Sequence, residues 1–317
     1  MTALAGSRFP LRIGALLWPQ TTSWDELRDA AVRADRAGLD SLWTWDHLNA
    51  IAGPWEQPIL EGWSILAGWS QVTSGPTLGL MVGANTFRNP GLTVKTVATL
   101  DRMSGGRAIL GLGGAWFERE HEAFGIDFRS GFGERLDAFD EAVMLSRRLL
   151  DGERIAQHRG RFYAMTDALC EPRPIQARLP ILVGGSGPKK TLRTTAMYAD
   201  AWNTSGTLAE VTAQDAILRA HCEAVGRDQA EIERTLVVDM VLRDDPGEAW
   251  RVLAAARAAN GSPTEYEEDV LGSPALAAER LRPYVAAGFT HVIVNARHPY
   301  DLETIDRLPE LRALLEV

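Results

Sequence analysis

The sequence predicts an α/β fold, a (β/α)8 TIM barrel, on three observations. Short apolar runs alternate with longer helical patterns eight times along the 317 residues. The runs are apolar along nearly their whole length, which marks strands of a parallel sheet covered on both faces. Eight such units in this length match a barrel of about 250 residues extended by insertions. An open doubly wound sheet is the alternative arrangement of the same elements.

Taken in order, LRIGALL (11–17) is a strand bounded by Pro10 and Pro19. Ser23 and Glu26 form a capping box for a helix over 24–37, whose Leu27, Ala30, Ala31 and Ala34 share one face before Gly38 stops it. DSLWTW (40–45) is the second strand, and a helix at 61–74 follows a Pro-punctuated loop. TLGLMVG (77–83) and RAILGLG (107–113) are the third and fourth strands, followed by helices at Pro90–Met103 and 133–151. Residues 153–178, rich in Gly and Pro, break the alternation and read as an inserted loop or hairpin. PILVGG (180–185), a helix over 188–199, DAWNTS (200–205) and a helix over 209–225 resume it. TLVVDMVLR (235–243), a mostly helical stretch over 246–287, THVIVNA (290–296) and a helix over 302–315 complete a single domain, 1–317.

A net charge of −9 argues against non-specific binding to nucleic acid or to an anionic membrane, since either needs a basic face. Two cysteines, Cys170 and Cys222, are too few for a disulfide framework and lie in no metal-ligand spacing, which points to a reducing, cytoplasmic setting and to no metal. No apolar run approaches the roughly 18 residues of a membrane span.

A barrel places its active site at the C-terminal ends of the strands. There stand Trp18 and Gln20; Trp45, Asp46 and His47; Asn85 and Arg88; Trp116, Glu118 and His121; Gly184 to Lys190; Asn203 to Ser205; and Arg297 and His298. In ILVGGSGPKKTLR a strand runs into Gly184, Gly185, Ser186 and Gly187, then into a helix with Pro188 at its first position. Glycines let backbone N–H groups approach an anion, and a helix start adds about half a positive charge. Lys189, Lys190 and Arg193 add full charges, so this is a candidate phosphate cradle. The competing reading is a tight turn beside a solvated basic helix face.

Asp46 and His47 are adjacent, so on an extended chain they face opposite ways. His47 is either a proton-transfer group or a histidine satisfied by the core. Glu118 and His121, three apart, share a helix face as an acid/base pair or a structural ion pair. GLGGAW carries a GxG whose sixth position is Trp116, so the dinucleotide fingerprint fails.

GLDSLWTWDH (38–47), FRNPGLTVKTVATLDRMSGGRAILGLGGAWFEREHEAFG (87–125), GERLDAFDEAV (133–143) and PILVGGSGPKKTLRTTAMYADAWN (180–203) together resemble the luciferase-like monooxygenase superfamily. Within it they resemble the branch of F420-dependent oxidoreductases. The resemblance implies a barrel of bacterial-luciferase type with an inserted region after strand four. It implies an oxidoreductase moving hydride between coenzyme F420, a 5-deazaflavin, and an imine, enone, alcohol or carbonyl compound. The alternative is an FMN-dependent monooxygenase served by a separate flavin reductase. By the family's pattern His47 sits at the ring, Gly184 to Gly187 with Lys189 and Lys190 hold the phosphate end, and a non-prolyl cis peptide in the third strand, matched to Gly83–Ala84–Asn85, backs the ring. His47 is then catalytic, with Glu118 and His121 as further candidates. Trp18, Trp45 and Trp116 become walls of the substrate pocket, within an aromatic ring at the strand ends that also takes in Trp43, Trp55 and Trp202. A homodimer is one assembly open to such a chain.

Overall fold

A computed structural model describes residues 8–261 and 269–316. In chain order the elements are β1 (Arg12–Leu17), α1 (Trp24–Arg36), β2 (Ser41–Thr44), α2 (Gly62–Val72), β3 (Thr77–Leu80), β4 (Gly83–Ala84), α3 (Pro90–Ser104) and β5 (Ala108–Gly113). Then come α4 (Glu118–Phe124), α5 (Phe132–Leu150), the hairpin β6 (Ile155–Arg159) and β7 (Ala164–Ala168), β8 (Ile181–Gly184), α6 (Thr191–Tyr198), β9 (Ala201–Thr204) and α7 (Leu208–Ala224). The chain closes with β10 (Glu233–Val238), β11 (Met240–Leu242), α8 (Pro246–Ala259), β12 (Val270–Gly272), α9 (Pro274–Ala286), β13 (His291–Ala296) and α10 (Leu302–Leu315).

Strands β3, β2, β1, β13, β10, β9, β8 and β5 pair side by side in parallel, and β3 pairs with β5, so the sheet closes into an eight-stranded barrel. The open-sheet alternative is thereby excluded. The insertion read at 153–178 is the β6–β7 hairpin, and a further short helix, α4, also falls between β5 and β8.

Alternation along each strand divides the core in two. Ile13, Ala15 and Leu17 face the surrounding helices, while Leu16, Trp43, Ile109, Leu182 and Ile293 fill the lumen. Glycines make the lumen wide enough for an indole. A Cβ on Gly79 would stand 2.7 Å from the Trp43 ring, and one on Gly14 would meet Ser41 Oγ at 2.0 Å. The Trp43 indole N–H donates to Ser41 Oγ at 2.8 Å, and that hydroxyl pairs with His291 Nε2 at 2.8 Å. At the strand starts Arg12 donates to Glu233 at 3.2 Å and to Thr77 at 3.1 Å, so a polar cluster closes the end of the barrel away from the C-terminal strand ends. Burial alone would raise the Glu233 carboxyl, but His291 and Arg12 hold it at about 2. Burial lowers the His291 imidazole.

Three expectations need correction. The seventh apolar run is two strands, because the chain turns at Asp239. β10 stays in the barrel, and β11 pairs in parallel with β12 outside it. Asp239 accepts from Arg257 at 2.7 Å and from Asn295 Nδ2 at 2.9 Å, so its carboxylate fixes the turn. The stretch 246–287 is therefore helix, strand and helix, and residues 262–268 of it lie outside the described part. The third run also breaks: β3 stops at Leu80, the Met81–Val82 peptide is cis, and β4 resumes at Gly83. The cis bond thus precedes the stretch to which the family pattern assigned it. Finally, α6 starts at Thr191 rather than Pro188.

Candidate functional site

At the C-terminal ends of the strands lies a cavity of about 500 Å³. Its floor is set by the break in the third strand, which lifts Val82 between three glycines. A Cβ on Gly111 would meet Leu80 O at 1.9 Å; on Gly113 or Gly184 it would meet a Val82 methyl at 2.6 or 2.8 Å. Only hydrogen at those positions leaves room for this bulge. Gly83, Ala84, Gly113 and Gly184 line the cavity beside Val82.

One wall is the turn Gly184–Gly185–Ser186–Gly187, ending at Thr191. Gly185 has φ +114°, a region that L side chains rarely adopt. Its N–H donates to Asn203 O at 3.1 Å, and its carbonyl accepts from the Trp202 indole N–H at 2.9 Å. The turn is thus held before any ligand arrives. α6 begins without a side-chain cap, and although Leu192 N–H donates to Gly187 O at 3.1 Å, the positive end of the helix still faces the turn.

The opposite wall carries the ionisable pair. His47 Nδ1 lies 3.0 Å from Glu120 Oε1, and Leu48 N–H donates to Glu120 Oε2 at 2.8 Å. A carboxylate only accepts, so Nδ1 carries a proton, and in the neutral ring Nε2 is then the acceptor nitrogen. Glu120 is buried, and both residues line the cavity. The His47 ring is held by neighbours packed edge-on: Trp45 at 5.8 Å, Trp116 at 5.5 Å and Phe117 at 5.9 Å between centroids.

Asp46 points away from the cavity, as adjacency to His47 requires. It accepts from Ala84 N–H at 2.9 Å and from Arg88 at 2.6 Å, and Arg88 also donates to Glu61 at 2.9 Å. Burial pushes the Asp46 carboxyl up to about 6, against the pull of the Arg88 guanidinium. This chain ties the end of the second strand to the bulge of the third. Gln20, fully buried, plays a similar part for the loop after β2, donating to Ala52 O at 2.8 Å and accepting from Ile51 N–H at 3.1 Å.

The other sequence candidates separate. Glu118 starts α4 and faces solvent, whereas Glu120 and His121 face inward. His121 does not line the cavity; its Nδ1 donates to Phe117 O at 2.8 Å and its Nε2 accepts from Thr86 Oγ1 at 2.6 Å, a satisfied core histidine. Asn85 reaches away to Tyr163 OH at 3.1 Å. Lys189 and Lys190 line a separate cavity of about 400 Å³ against α5, with Arg193, Asp137 and Asp140. There Lys190 Nζ donates to Asp137 and, at 2.9 Å, to Gly133 O. The later start of α6 turns these side chains outward. Trp45 and Trp116 face the cavity, but Trp18 packs behind Trp45 with its ring tilted by 49° and the centroids 4.1 Å apart, and Trp43 and Trp202 are core. Among the described residues no group of three or more His, Cys, Asp and Glu gathers as a metal site, and no helix is long and apolar enough to cross a membrane.

The family model described as "Luciferase-like monooxygenase" matches residues 8–290. An "F420-dependent glucose-6-phosphate dehydrogenase" of Kineococcus radiotolerans is 31% identical over 90% of this chain and 91% of its own. A protein of the same name from Intrasporangium calvum is 32% identical over 91% and 95%. Among solved structures, an F420-dependent secondary alcohol dehydrogenase in complex with an F420-acetone adduct superposes with a TM-score of 0.83 at 20% identity, over 97% of this chain and 99% of that one, a likeness of fold.

Proposed function

The chain belongs to the luciferase-like monooxygenase family, and from that premise we propose that it is an oxidoreductase exchanging hydride between coenzyme F420 and a small organic substrate. The observation that carries the reading is that the glycine-walled turn and the His47–Glu120 pair open into one cavity. The cavity fits a flat heterocycle with a phosphate-bearing tail. Its floor is Val82 and glycine backbone where any Cβ would intrude, and the tail's end meets the turn before α6. We assign Gly83, Ala84 and Gly184 to Gly187 to hold it, with His47 beside the ring. Lys189 and Lys190 would serve only a tail long enough to leave the cavity.

When bound, the deazaflavin accepts or gives hydride at its ring carbon. In the oxidising direction an alcohol loses a carbinol hydrogen with its electron pair, its O–H proton goes to His47 Nε2, and a C=O bond forms. Glu120 holds the Nδ1–H tautomer that makes Nε2 basic, and it stabilises the imidazolium that results. In the reverse direction the imidazolium returns that proton to the carbonyl oxygen. Trp45 and Trp116 exclude water around the transfer. Both cysteines, Cys170 and Cys222, are buried and free, which agrees with a cytoplasmic enzyme. The test is loss of deazaflavin absorbance when a panel of alcohols is added to the F420-loaded protein. Bleaching is expected in the native protein and not in His47→Ala. Undiminished bleaching in His47→Ala removes His47 from the mechanism.

A further inference from the structure

The chemistry of the cavity wall narrows the substrate, given the hydride-transfer reading above. Among the described lining residues the ionisable side chains are His47 and Glu120, with no Lys or Arg. Basic residues near the cavity are turned elsewhere: Arg88 to Asp46 and Glu61, Arg297 to Asp239, Lys190 to Asp137, Lys189 into the separate cavity against α5, and Arg135 over the Phe128 ring with Nη1 donating to Phe128 O. Arg119 lies over the Trp55 ring, 4.2 Å from its centroid. With the turn before α6 given to the tail of F420, a second phosphate in the cavity would meet the Glu120 carboxylate and no Lys or Arg among the described lining residues. Taking a dianion out of water without a partner is strongly unfavourable.

The aromatic side chains point the same way. Trp116 is 60% exposed and Phe132 56% exposed, yet both line the cavity. Trp116 stands against His47 on one side and against Phe117, at 5.2 Å, on the other. An indole left open to solvent next to the proton-transfer group offers a flat apolar face to whatever enters. Trp45 and Ile51 continue that apolar wall inward.

We infer that the substrate is an uncharged alcohol or ketone bearing an aromatic or other flat apolar group, seated on Trp116 with its oxygen at His47, and that the cavity rejects sugar phosphates. The activity named for the two relatives is then not this chain's activity. Calorimetric titration tests this on both the apoprotein and the F420-loaded protein, with 1-phenylethanol and glucose 6-phosphate as probes. F420 loading is read first, by fluorescence quenching. 1-Phenylethanol is expected to bind at least about 10-fold more tightly than glucose 6-phosphate. Trp116→Ala is expected to weaken it about 5- to 10-fold while leaving the F420 affinity in place. Equal or tighter binding of glucose 6-phosphate, no saturable binding of 1-phenylethanol, or an unchanged affinity in Trp116→Ala overturns the inference. Failure of F420 to quench overturns the cofactor reading instead, and the apoprotein titrations of 1-phenylethanol against native and Trp116→Ala protein still decide whether the aromatic seat exists.

Discussion

Gly184→Ala probes the cavity floor most sharply. The added Cβ would lie 2.8 Å from Val82 Cγ1 and 3.2 Å from Cγ2. Carbon atoms are at ease at about 3.5–4.0 Å, so Val82 must retreat by about 0.7 Å. It cannot retreat toward β5, because Gly113 already admits Val82 only by lacking a Cβ, which would lie 2.6 Å from Cγ2. Val82 borders the cavity, so the displacement runs into it. Overpacking of this kind costs about 1–3 kcal/mol. Taken from binding, that is a loss of about 5- to 150-fold in affinity. Fluorescence titration with F420 measures it, alongside a denaturant midpoint for the part borne by the fold. Val82→Ala in the same background removes both methyls and is expected to recover most of the loss. Gly125→Ala is the control. Its φ of +65° makes alanine strained in open space, so stability falls by about 1 kcal/mol while affinity holds. An unchanged Kd in Gly184→Ala, or a loss that Val82→Ala does not relieve, refutes the reasoning.

Other outcomes follow from the same geometry. Glu120→Gln keeps the shape but loses the charged acceptor on His47 Nδ1, so kcat is expected to drop about 10- to 100-fold with little change in F420 affinity. His47→Ala is expected to cost about 10²- to 10⁴-fold, and steady-state kinetics separate the two. Lys190→Ala is expected to leave F420 affinity within about 2-fold, since Lys190 serves Asp137 outside the cavity and its surface pair contributes little to binding. The Glu233 carboxyl is held at about 2 against an ordinary 4.5, so its pairing stabilises the fold fully above pH 4.5 and is lost as pH falls toward 2. The loss is about 3 kcal/mol, read from urea midpoints against pH, and Glu233→Gln is expected to remove that part of the profile. The lowered His291 imidazole acts in the same sense, from its ordinary value of 6.5 downward.

The barrel was legible because its evidence is repetitive: eight apolar runs and their helices each carry the same signal, and small boundary errors cancel. The departures lie where one side chain redirects the backbone. Asp239, the one acidic residue inside the run TLVVDMVLR, collects Arg257 and Asn295 and splits it into two strands; periodicity shows the acid but not the partners that turn the chain there. Gly184 to Gly187 and His47 line the cavity at the strand ends, where glycine and histidine carry a chemical signal by themselves, and their roles there are the proposal made above. Glu120 was missed by two residues. Pairing Glu118 with His121 assumed an inward face for both, but α4 begins at Glu118, so Glu118 falls on its outer side and Glu120 inside. The WFEREH segment holds two glutamates, and only the start of the helix chooses between them. Lys189 and Lys190 failed to reach the cavity for a related reason: with α6 starting at Thr191, both lie in the preceding turn and project toward α5.

The most direct test of the account is a paired equilibrium titration of the purified apoprotein with F420 and with FMN, followed by fluorescence. The account predicts saturable F420 binding at least about 10-fold tighter than FMN, weakened in Gly184→Ala. Tight FMN binding with no measurable F420 binding contradicts it and moves the chain to the flavin-dependent monooxygenases of its family.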